Sequence, residues 1–213
     1  MLNNSIYYMI IFLCGICIGV LLNTGICRIL QEKMKTICYL SVMVLNGILY
    51  VLVISIYQWT YLSVIYCLSA SALIVLSVVD YKIYEIPSNL NLLLGFLGVV
   101  RLVMDISNIW TYLLGFGSVS FLLLLIYYFT KGKGIGGGDI KLMAAAGLLI
   151  GFPKIVLAFI LGCILGSILH ILRMKIRNEG SILAFGPYLS AGIVIAMLYG
   201  EQLIRWYLNL LQS

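Results

Sequence analysis

Charge is what this chain has least of. Only 9% of its 213 residues are Asp, Glu, Lys or Arg, and just seven are acidic. An ordinary soluble domain carries roughly 25% charged residues, so a soluble globular fold is excluded. Histidine occurs once, at His170 within an apolar run. A core or polar contact is expected there, since no Ser-His pairing, zinc-binding His-Glu motif or Walker-type loop accompanies it. Six cysteines (Cys14, Cys17, Cys27, Cys38, Cys67, Cys163) lie mostly inside apolar runs, where cysteine acts as a small hydrophobe. Cys14-x-x-Cys17 has zinc-like spacing but no second pair, so no metal site is expected.

Apolar sequence fills what remains. The hydrophobic fraction is 63% and the mean hydropathy +1.15, which marks a polytopic membrane protein. Lipid leaves backbone only two spanning forms, helices and closed barrels. The long runs lack period-two alternation, which favours helices. Segments near 5–26, 37–56, 61–79, 90–104, 109–129, 140–151, 154–172 and 182–200 predict an all-α fold of about eight helices, with seven as the fallback. The fourth is shortish and the sixth too short to cross comfortably, since a span takes about 20 residues. Residues 1–213 read as a single integral membrane domain, with no soluble domain, linker or repeat. The first segment lacks a basic flank and is too long for a signal peptide, so it reads as a retained span.

The basic residues set the orientation. With the N-terminus outside, the loops at 27–36, 80–89, 130–139 and 173–181 face the cytoplasm. Arg28, Lys33, Lys35, Lys82, Lys131, Lys133, Lys141, Arg173, Lys175 and Arg177 lie near them, leaving only Arg101, Lys154 and Arg205 on the other side. That asymmetry satisfies the positive-inside rule. It also accounts for the net charge of +6 without nucleic-acid binding, which is not expected.

Two carboxylates then fall on the cytoplasmic side. Asp80 ends an apolar segment, and Asp139 closes the cluster Gly134-Ile-Gly-Gly-Gly-Asp139-Ile-Lys141. Ionisable groups at membrane depth are costly and mark functional sites. A close pair of carboxylates in a low-dielectric site shares one proton and suits peptide hydrolysis, one taking a proton from water and the other giving one to the scissile carbonyl. Gly136, Gly137 and Gly138 remove side chains beside Asp139, which permits positive φ and close approach of an extended substrate. A helix N-terminus beside Asp139 would favour its anionic form. Asp139 as a plain N-cap, or Asp80 as an interfacial charge, is the alternative for either alone. Glu85 is a competitor for the role of Asp80, and Lys141 either pairs with a carboxylate or substrate or is an interfacial charge. Asp105, Glu32, Glu179 and Glu201 read as solvated charges.

These residues resemble the type IV prepilin peptidase family, membrane aspartic proteases with a Gly-x-Gly-Asp motif. Gly136-Gly137-Gly138-Asp139-Ile-Lys141-Leu with Ala144-Ala145-Ala146-Gly147 is similar to the family's second catalytic block. Val79-Asp80 followed by Ile86-Pro87 resembles the first block. Gly19-Val-Leu-Leu-Asn23 with Arg28 resembles the family's first span, and Phe185-Gly186-Pro187-Tyr188 its last. The resemblance implies catalytic roles for Asp80 and Asp139, with Gly136–Gly138, Lys141 and Pro87 shaping the site or the approach of substrate. It implies removal of short basic leaders from prepilin or pseudopilin precursors at the cytoplasmic face of the plasma membrane. Many members also methylate the new amine with S-adenosylmethionine, to which Gly19 and Asn23 would relate. Here the long insert with two Cys-x-x-Cys pairs is missing, since about ten residues (Cys27 to Thr36) join the first two segments, and Val20 replaces the usual Ser. Proteolysis without zinc or other cofactor is therefore expected, with the bifunctional peptidase-methyltransferase as the near alternative. A transporter or assembly factor whose aspartates bind an ion or proton is the alternative of another class.

Overall fold

A computed structural model of the chain describes residues 2–132, 134–177 and 184–212. Lys133 and Glu179, counted above among the loop charges, lie outside them. Eight α-helices follow in order: α1 Leu2–Leu30, α2 Thr36–Tyr57, α3 Tyr61–Ile83, α4 Ser88–Met104, α5 Ile109–Phe129, α6 Gly137–Ile150, α7 Phe152–Arg177 and α8 Gly186–Gln212, with a 3-10 turn at Ile106–Asn108. Six are long and apolar enough to cross a membrane, and α4 is a shorter apolar helix. The protein is a multi-pass helical membrane protein.

Local chemistry sets several boundaries. Thr60 caps α3 by accepting a hydrogen bond from the Ser63 N–H, and Pro87 in extended conformation ends the turn before α4. Gly151, at φ +84°, breaks α6 from α7, and Pro153 falls in the first turn of α7, where its missing N–H costs nothing. Several helices overrun the lengths expected from hydropathy, α1, α3, α7 and α8 among them. α3 continues through Asp80 to Ile83 rather than stopping at 79, because the Asp80 side chain is hydrogen-bonded rather than hydrated. α8 runs past 200 to Gln212, with Glu201 neutralised by Lys154 at 2.7 Å.

Small residues draw the helices together, as expected where lipid offers no hydrophobic drive between them. A Cβ on Gly15 would lie 2.7 Å from the Gly47 Cα, joining α1 to α2. One on Gly147 would lie 2.1 Å from the Gly115 carbonyl oxygen, joining α6 to α5, and one on Gly192 would lie 2.2 Å from that of Ala158, joining α8 to α7. The helix α3 is the most buried span and α1 the least. Asn46 threads a polar link through this core: its Nδ2 donates to the Gly15 carbonyl at 2.8 Å, and its Oδ1 accepts from Ser71 at 2.9 Å.

The two ends of the bundle differ. At one, Arg101 donates to the Tyr61 hydroxyl at 3.0 Å and pairs with Asp105 at 3.4 Å, beside the Lys154–Glu201 pair. Tyr112 donates to Asp105 at 2.6 Å, the main reason its carboxyl is held below the usual carboxylate range. Asp105 and Glu201 are therefore ion-paired rather than merely solvated. Arg101, Lys154 and Arg205, the three basic residues assigned to the outer side, line one cavity of about 450 Å³ here. Asp80 and Asp139 occupy the opposite end.

Candidate active site

Asp80 stands in the last turn of α3 and Asp139 in the first turn of α6. Both are nearly sealed, at 5% and 9% exposure. They line one cavity of about 260 Å³ together with Tyr84, Glu85, Ile86, Gly136, Gly137 and Gly138. Two carboxylates from distant stretches of sequence therefore share one pocket, with Glu85 as an exposed third acid on its rim.

Backbone groups fix the pair. The Gly186 N–H, at the start of α8, donates to Asp80 Oδ2 at 2.9 Å. A Cβ on Gly186 would fall 2.7 Å from that same oxygen, so no larger residue leaves the carboxylate in place. On the other wall, a Cβ on Gly138 would lie 2.8 Å from the Ile86 Cβ. Asn91 Nδ2 also donates to the Gly138 carbonyl at 3.3 Å, tying α4 to the start of α6. None of Gly136, Gly137 and Gly138 takes positive φ. Gly138 is needed for close packing on Ile86, whereas a Cβ on Gly137 would meet nothing within 4 Å, and the run takes no unusual backbone, contrary to the positive φ expected from sequence.

Electrostatics corrects a second expectation. The helix N-terminus favours an anionic Asp139, and a backbone hydrogen bond from Gly136 acts in the same direction. Burial outweighs both, and the neighbouring Asp80 charge adds to it, so the Asp139 carboxyl is pushed up to about 6. Such a pair holds one proton up to about pH 6, well above the ordinary carboxylate range, which suits general acid–base hydrolysis.

The other predicted residues scatter. Pro87 is half-buried as the N-cap of α4, next to Ile86 but outside the cavity lining, and Lys141 is exposed and also outside it. Gly19 packs on α2, where a Cβ would lie 2.7 Å from the Met43 Cα. Asn23 is fully buried and donates to the Tyr39 carbonyl at 3.0 Å. Neither lines the aspartate cavity. Sequence reasoning missed Gly186 as a site residue. The signal was the Phe-Gly-Pro triplet before the last apolar run, which was read only as a family signature.

Comparison with known proteins agrees with this geometry. The family model described as "Type IV leader peptidase family" matches residues 67–171, which hold both aspartates. The chain is 31% identical over 144 residues to a prepilin leader peptidase/N-methyltransferase of Bacillus subtilis, covering 66% of this chain and 57% of that protein. It is 38% identical over 82 residues to the protein of the same description from Pseudomonas aeruginosa, covering 38% of this chain and 28% of that one. A third, from Pseudomonas putida, is 28% identical over 150 residues, with 66% and 51% covered. The chain thus spans about half or less of the length of these curated relatives. No solved structure matches it. With the kinship running through both aspartate segments, the chain belongs to the type IV leader peptidase family.

Proposed function

We propose that this chain is a membrane-embedded aspartic endopeptidase that removes the basic leader of prepilin or pseudopilin precursors at the cytoplasmic face of the plasma membrane. The observation that carries the reading is the shared cavity of Asp80 and Asp139, two sealed carboxyls held by backbone at one end of the bundle. The hydrogen bond from the Gly186 N–H orients Asp80 as the acceptor of the water proton, while Asp139, whose carboxyl is pushed up to about 6, holds the shared proton. In this reading water attacks the scissile carbonyl carbon as Asp80 takes its proton, and Asp139 gives its proton to the carbonyl oxygen. The resulting gem-diol collapses, the C–N bond breaks, and the leaving amine takes up a proton from the pair. Every atom and proton is supplied by water, substrate and the two acids, so hydrolysis needs no cofactor and no metal.

Methyl transfer would require S-adenosylmethionine. Of the candidate residues, Gly19 is closed against the Met43 backbone, while Asn23 donates to the Tyr39 carbonyl and keeps a buried Oδ1 with no partner among the described residues. The proposed reaction ends at the free amine because the closed contact at Gly19 leaves that group no approach there.

Co-expression with a prepilin precursor tests the assignment. Asp80→Asn and Asp139→Asn, which keep shape and delete the titrating group, are each expected to abolish leader removal, a drop of at least about 100-fold. Mass spectrometry of the wild-type product is expected to read an unmethylated N-terminus. Normal processing by either variant overturns the mechanism, and vesicle transport of an ion without any proteolysis would favour a transporter instead.

A further inference from the structure

On the flank of the bundle, α2 and α8 both pack on α3 yet scarcely touch each other. Between them lies an open groove of about 390 Å³. Val42 and Leu45 form one wall, Ile74 and Val78 the floor, and Pro187 and Val194 the other wall. The lining residues on each helix recur at helical spacing, so three parallel stripes make one trough along the helix axes. The trough is nearly all apolar, and Leu45 on its rim is 47% exposed.

Two observations separate it from an ordinary lipid-facing crevice. Its floor, α3, ends in the turn that carries Asp80. Ser77, which also lines it, is one helical turn before Asp80 on the same face of α3, and Pro187 follows the Gly186 that binds Asp80. It also contains an unmet polar group. Ser190 is 3% exposed, lines the groove, and has a hydroxyl with no hydrogen-bond partner among the described residues. Unsatisfied polar groups at membrane depth are costly, so an incoming group that pairs with Ser190 gains what the empty groove forgoes.

We infer that this α2–α3–α8 groove docks an apolar transmembrane helix of the substrate, with the adjoining scissile segment continuing out of the groove into the Asp80–Asp139 cavity. The inference rests on the peptidase reading for its occupant. A protease whose acids sit at the end of membrane helices meets bonds next to a membrane anchor, and an anchor reaching Asp80 from the lipid finds this trough first. A helix laid there is read by close packing and a few hydrogen bonds, the terms that associate helices in lipid. An extended segment then leaves it, as cleavage requires a carbonyl free of helical hydrogen bonds.

The test uses the full-length protein in liposomes with a prepilin precursor that retains its apolar helix. Val194→Trp fills the groove away from both aspartates. It is expected to raise KM for the precursor at least tenfold while kcat stays within about twofold. An unchanged KM overturns the proposal, and a fall confined to kcat does so too, because it would place the effect on the aspartates. A photo-crosslinking residue at the exposed Leu45 position, in an Asp139→Asn background, gives the second reading. Capture of the precursor through its apolar helix supports docking, whereas capture of phospholipid alone overturns it. The crosslink reports docking even where nothing is cleaved. The groove and the peptidase mechanism therefore fail separately: cleavage without crosslinking sinks the first, and crosslinking to a wild-type protein that cuts nothing sinks the second.

Discussion

Asp139 is where the chain accepts instability, in a place that the proposed chemistry would use. Its carboxyl has an ordinary value of 3.8 and is pushed up to about 6 in the folded protein, first by burial and then by Asp80. The folded state therefore binds the proton more tightly than the unfolded state. Its contribution to stability is fully present below about pH 4 and is lost as pH rises to about 6. Asp139→Asn removes that dependence. Thermal unfolding in detergent should show the variant gaining on wild type between pH 4 and pH 7, by on the order of 2 kcal/mol, although the proposed mechanism leaves it inactive. A gap that does not change with pH would contradict this account. Both acids were legible in the sequence because a carboxylate is conspicuous among apolar residues. Gly186 was not, since its contribution is a backbone N–H that any non-proline residue owns. Only the folded arrangement shows that a side chain there would strike Asp80.

Helices were legible for the same reason that the charges were: uninterrupted apolar runs in a membrane protein leave the backbone no other satisfied form. Their ends were not. Hydropathy stopped α3 before Asp80 and α8 at 200, whereas tertiary partners carry them on to Ile83 and Gln212. The glycines that matter for packing were equally hidden, because contact across helices is not a property of one segment. α5 contains a matched pair for testing this. A Cβ on Gly115 would lie 2.4 Å from the Gly147 carbonyl oxygen, whereas one on Gly117 meets nothing within 4 Å. Gly115→Ala should cost about 1–3 kcal/mol of unfolding free energy by forcing α5 from α6. Gly117→Ala should be neutral or stabilising by up to about 1 kcal/mol. Equal effects of the two in chemical or thermal denaturation would refute the close-packed α5–α6 seam. Because Asp139 lies in the first turn of α6, the same seam fixes the position of that acid along the bundle.

At the scale of the whole molecule, ion pairs and aromatic contacts gather the helices at the end away from the aspartates. At the aspartate end, the links among α3, α4, α6 and α8 that the described residues show run through backbone. The brevity of α6 has a consequence for the surrounding membrane. Fourteen residues reach roughly 21 Å at 1.5 Å each, while the hydrocarbon core of a bilayer measures about 30 Å. With its C-terminal end moored near Lys154 and Glu201, so short a helix is expected to leave Asp139 below the level of the headgroups. The lipid around α6 is then expected to thin, and water to dip inward to the buried acids. The proposed hydrolysis would draw on that dimple, since it consumes a water molecule in a place lipid would otherwise keep dry. Processing rates should fall in vesicles of progressively longer acyl chains. Rates indifferent to chain length would show that water reaches the acids by another path.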